Sequence, residues 1–205
     1  MPLESRSLGV ATFKSFVFVI LMAQIYSHIG GSGNPIVVPF LVNSLLALCV
    51  LLHFSSYGFP FSLLPKRRTW LFVPLFFLLG ALVLGLLSSE KVQIPDLRAF
   101  ILPVMLVPIV EEIIFRMGLW SFFGRIPPGA KLYLTAASFA CLHTNGSQIP
   151  LGPFLLGLVS QWMLLQGAGL VTVILLHMAS NATIVIFLTL DPRWLDWLRI
   201  FYINN

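Results

Sequence analysis

Three ionisable side chains, Glu111, Glu112 and Arg116, stand in the middle of the apolar run 100–123. Even mild insertion scales put Asp, Lys or Arg at the centre of a membrane helix at about +2.5 to +3.5 kcal/mol, so such residues face a polar interior and mark a working site. Two more polar groups lie in apolar surroundings: His143, at the end of the run Phe139 to His143, and His177 with Asn181 in the last long run. The ingredients at hand are a carboxylate, two imidazoles and an amide, groups able to move protons and donate hydrogen bonds. Helical phase divides the labour. At about 100° per residue, Glu112 and Arg116 share a face while Glu111 is rotated away from Arg116. The expected pairing is therefore Glu112 with Arg116, the cation within one turn, which leaves Glu111 for chemistry. His177 and Asn181 project together, and Phe139 sits one turn behind His143 on the same face. Either histidine alone also reads as a hydrogen-bonded packing residue.

The elements that position these groups follow from composition. The chain is 58% hydrophobic and 9% charged, with a mean hydropathy of +0.96, and several apolar runs approach spanning length. This predicts an all-α, polytopic transmembrane bundle in one domain, 1–205. The spans are placed at Phe13–Ile29, Pro35–Phe54, Trp70–Leu87, Phe100–Phe123, Lys131–Thr144, Ile149–Gln166 and Ala168–Leu190, about seven in all. Between them, 30–35, 59–68, 127–129 and 167–169 are too rich in Gly, Pro or polar residues to continue a helix. In the tail from Asp191, Trp194, Trp197, Leu198 and Phe201 share one helical face, which predicts an interfacial helix.

The net charge of +5 does not point to nucleic acid, because the basic residues are scattered except at Lys66-Arg67-Arg68, between two apolar runs. The positive-inside pattern puts the N-terminus, Lys66 to Arg68, Arg125 and Lys131 on the cytoplasmic side. The first run lacks a small-x-small cleavage site and reads as an uncleaved span. The expected location is a prokaryotic cytoplasmic membrane, crossed several times. With that topology, Glu111 and His143 lie about 18 Å deep and His177 about 14 Å, so all three meet near one plane.

At these residues the chain resembles a family. Glu-Glu-x-x-x-Arg at 111–116, Phe-x-x-x-His at 139–143 and His-x-x-x-Asn at 177–181, in order on successive apolar segments, resemble the CPBP intramembrane endopeptidases. That family is named for CAAX proteases and bacteriocin-processing enzymes and is also called ABI. The likeness covers about 100–190. It implies that Glu111 activates water with His143 helping to hold it, that His177 and Asn181 stabilise the oxyanion, and that Glu112 with Arg116 shapes the site. Phe139 becomes a candidate for the substrate pocket. The implied partner is a membrane-anchored peptide or protein, lipidated or not, within the bilayer.

Glu111, His143 and His177 also form a His2Glu set, so a divalent metal such as zinc stays open. A metal-free reading is favoured because the sequence lacks a local His-Glu-x-x-His helix. The competing classes are a proton-coupled transporter and a non-enzymatic immunity or scaffold protein. Against the first, no internal repeat pairs two broken helices; against the second, every motif residue is present. Other polar features have plainer readings. Cys49 and Cys141 are expected in the core, His53 near a span end, and Gln161 in interhelical hydrogen bonds. Pro103 and Pro108 kink the fourth run or are simply tolerated there, and Gly157, Gly167 and Gly169 serve close packing and turns. Nothing in the sequence assigns an oligomeric state.

Overall fold

The computed structural model describes residues 37–88, 101–124, 126–143 and 151–190. The expected first span, Phe13–Ile29, and the tail helix from Asp191 lie outside them. The described residues form helices and turns, without strands. Helix α1 is Val37–Tyr57, and α2 is Phe72–Ser88, entered through a 3-10 turn at Arg68–Leu71. Helix α3 runs over 102–122, α4 is Pro128–Cys141, α5 is Leu151–Leu165 and α6 is Leu170–Leu190.

Two helices have the length and hydropathy to cross a bilayer unaided, Arg68–Leu87 and Leu170–Phe187, while Phe40–Ser56 and Leu151–Leu165 are apolar but shorter. Of the seven expected spans, these two meet the full length among the described residues. Leu75, Phe76, Phe77, Leu82 and Leu86 on α2 are exposed, an apolar surface suited to lipid.

Helix α4 begins three residues before the expected Lys131, because proline is well accommodated in the first helical turn and does not have to interrupt. It also ends earlier. His143 therefore lies in a turn beyond the helix, held by its backbone N–H to Ala140 O at 2.9 Å. Cys141 is exposed rather than in the core, and Cys49 is half-buried.

The core is built from Leu46, Val50 and Phe54 of α1, Ile113, Phe115, Met117 and Leu119 of α3, Phe139 of α4, Met163 of α5 and Val173 of α6. Helix α1 covers the second half of α3, α6 lies against its first half and against α2, and α4 pairs with α5. That last pairing depends on Gly157, where an added Cβ would stand 2.9 Å from Ala136 Cα, too close for any side chain.

The turn 167–169 carries the strap before α2. Lys66 N–H donates to Gly167 O, and the N–H groups of Leu170 and Val171, which a helix start leaves without partners, donate to Ser62 O and Leu63 O. Gly169, at φ +78°, makes this possible: a Cβ there would run into the Leu64 backbone. At the same end the Phe61 and Trp120 rings lie 5.4 Å apart and Lys131 Nζ sits 4.9 Å from the Trp120 ring centre. Lys66 and Lys131 thus share one end of the bundle with several aromatic rings.

Candidate active site

The site is set by the winding of α3. Leu102–Leu106 and Ile113–Leu119 are π-helical, and the α-helical segment between them, Val107–Glu112, ends on the two carboxylates. Both π turns are local departures of the kind found at functional sites, and the first contains Pro103 and is followed by Pro108. The prolines therefore act on winding, where the sequence allowed either a kink or nothing.

Glu112 and Arg116 are both 0% exposed, and Arg116 Nε donates to Glu112 Oε2 at 2.7 Å, with a longer contact of 3.4 Å from the second guanidinium arm to Oε1. Helical phase anticipates that pair. It does not anticipate the second partner: His177, 65 residues away and 2% exposed, donates from Nδ1 to Glu112 Oε1 at 2.9 Å. Glu112, being acceptor-only when ionised, requires hydrogen on that nitrogen and so fixes the ring's orientation. One carboxylate thereby holds both Arg116 and His177.

Glu111 is 16% exposed and faces both imidazoles. Its Oε2 lies 3.7 Å from His177 Nε2 and 3.8 Å from His143 Nε2, and it has no hydrogen-bond partner among the described residues. These separations are beyond a direct hydrogen bond, so Glu111 Oε2 stands near both imidazoles without bonding to either. His143, 32% exposed, is oriented from behind, with Nδ1 donating to Phe139 O at 2.8 Å. In the neutral rings, both Nε2 atoms consequently turn a lone pair towards Glu111. For His177 to donate to an oxyanion from Nε2, both of its nitrogens must carry hydrogen.

Phe139 is a buried hub. Its ring meets Phe115 edge-on at 5.2 Å, His177 at 5.4 Å and His143 at 4.5 Å, and Arg116 Cζ lies 5.3 Å from its centre. It forms the floor on which both histidines rest. Asn181 Nδ2 donates to Pro103 O at 2.7 Å, a bond the sequence alone does not indicate. One of its two amide hydrogens is thus committed to α3, and one is left for other work.

Gln161 is fully buried, but neither amide atom has a partner among the described residues, in contrast to the interhelical bonds expected of it. For a metal, Glu111, His143 and His177 supply suitable donor types, and the acceptors behind each Nδ1 resemble the supporting contacts of metal sites. Among the described residues, however, no three His, Cys, Asp or Glu side chains form a metal-binding cluster.

Residues 93–183 match the family model described as type II CAAX prenyl endopeptidase Rce1-like, so the resemblance carried by the three motifs is shown over that region. The matched stretch contains α3, α4, α5 and the first part of α6, and with them every residue of the cluster. It supports a CAAX-type protease, a membrane-embedded class with which the two spanning-length helices agree. No curated protein and no solved structure matches the chain.

Proposed function

We propose that this chain is a multi-pass intramembrane endopeptidase that hydrolyses a peptide bond in a membrane-tethered substrate, with Glu111 as the general base. The observation that carries the proposal is that Glu111 Oε2 lies within 3.8 Å of both His143 Nε2 and His177 Nε2, with each ring held from behind. A water there gives its proton to Glu111 while His143 Nε2 holds it, and its oxygen attacks the scissile carbonyl carbon. The oxyanion accepts from His177 Nε2–H and from the free amide hydrogen of Asn181. As the carbon–nitrogen bond breaks, Glu111 passes the proton to the leaving amine, so base and acid are one residue. A bound divalent metal would instead polarise the carbonyl, with Glu111, His143 and His177 as its holders.

The basic, aromatic end with Lys66 and Lys131 is proposed to be cytoplasmic. The substrate class follows from a site within the bilayer: a prenylated C-terminal peptide, or an unmodified peptide anchored by an apolar segment. Proteoliposomes holding the purified protein are to be offered both, with and without a chelator. Cleavage that survives chelation supports the metal-free reading, and loss on chelation with recovery on adding zinc overturns it. Failure to cleave either tethered peptide contradicts the endopeptidase proposal.

A further inference from the structure

We infer that Pro108 is a positioning residue for this site, because by lacking an N–H it leaves the Pro103 carbonyl to the Asn181 amide and so fixes α6 against α3. In the first π turn, Val107 N–H reaches five residues back to Leu102 O. The next N–H in that register, the one that would serve Pro103 O, belongs to position 108, which is a buried proline. A carbonyl left without its helical partner in an apolar surrounding is costly, and membrane helices meet that cost with side chains from neighbouring helices. Asn181 does this here at 2.7 Å, at the short end for N–H···O bonds.

The consequence reaches the reacting groups. Asn181 stands one turn after His177 on α6, and His177 is bonded to Glu112, the residue next to Glu111 on α3. Helix α6 is therefore tied to α3 twice, once through Glu112 and once through Pro103. The second tie holds the Asn181 amide at one angle, so that its other hydrogen has a fixed direction. Pro108 touches no substrate in this scheme. It acts through Asn181.

The inference rests on the proposed activity for its kinetic half only. Asn181→Ala is to be made in the wild-type chain and in Pro108→Ala, and the thermal midpoint of each purified protein measured beside kcat and KM on a tethered peptide. In the wild-type chain Asn181→Ala lowers the midpoint, because Pro103 O loses its donor. In Pro108→Ala a backbone N–H takes that place, so the same substitution lowers the midpoint by less than half as much. Pro108→Ala alone lowers kcat about tenfold with KM nearly unchanged, the signature of a displaced group rather than of weaker binding. Pro108→Val supplies the same N–H with a different side chain and has to reproduce the coupling. Equal midpoint losses in both backgrounds, or a wild-type kcat in Pro108→Ala, overturn the inference. If the wild-type chain cleaves nothing, the endopeptidase reading fails while the midpoint comparison still decides the coupling.

Discussion

Replacing Glu112 separates two contributions that one side chain makes. Arg116 has Glu112 as its ionic partner at 2.7 Å, and both side chains are 0% exposed. Removing the carboxylate leaves a guanidinium buried and uncompensated, which costs about 3 to 5 kcal/mol. It also strips the acceptor from His177 Nδ1, a buried donor whose loss of partner costs about 1 to 3 kcal/mol. Glu112→Ala therefore loses roughly 4 to 8 kcal/mol, comparable with the whole stability of an ordinary domain. The expected result is a protein that accumulates poorly and melts well below wild type. The double variant Glu112→Leu with Arg116→Met removes both charges at similar volume, and such apolar replacement of a buried pair is often neutral or stabilising. It is expected to recover the thermal midpoint except for about 1 to 3 kcal/mol that the unpartnered His177 Nδ1 still costs, and not to recover cleavage, because His177 still lacks its orienting acceptor. Detergent-solubilised thermal unfolding followed by size-exclusion chromatography reads the first quantity, and hydrolysis of a tethered peptide reads the second. A wild-type midpoint for Glu112→Ala, or full activity in the double variant, refutes the reasoning.

Two further outcomes follow from packing. Phe139→Ala empties the floor under His143 and His177, and at the usual cost of about 3 to 5 kcal/mol for a buried aromatic it lowers the midpoint and the rate together, measured by the same two assays. Gly157→Ala forces α4 and α5 apart at Ala136 and costs about 1 to 3 kcal/mol, whereas Gly129→Ala, with open space around the added carbon, leaves the midpoint within about 0.5 kcal/mol of wild type.

Periodicity and charge made part of this site legible in advance. Four-residue spacing was enough for the Glu112 and Arg116 pair, because both groups lie on one helix and a buried charge has few alternatives. Counting residues from the basic ends was enough to bring Glu111, His143 and His177 to one level. What escaped sequence reading depends on contacts between distant segments or on the winding of a helix. The Glu112 bond to His177 joins residues 65 apart, and the Asn181 bond joins residues 78 apart, so neither has a local signature. The π turns have no distinctive hydrophobic period. The missing N–H at Pro108 signals a carbonyl in need of a donor, but an α-helical register assigns it to Val104, and only the π turn shifts it to Pro103, where Asn181 meets it. The spacing of Phe139 from His143 gave its direction but not its depth. The early end of α4 places His143 in a turn, where its ring nitrogen bonds the carbonyl of Phe139.

Glu111 is the residue on which the account turns. Its Oε2 has no hydrogen-bond partner among the described residues, so Glu111→Gln removes the base without breaking a structural bond there. The direct test is the initial rate of tethered-peptide hydrolysis by Glu111→Gln and wild type in proteoliposomes, with thermal midpoints measured in parallel. With Glu111 as the base, the expected result is a rate at background and an unchanged midpoint. Hydrolysis at the wild-type rate by Glu111→Gln contradicts it.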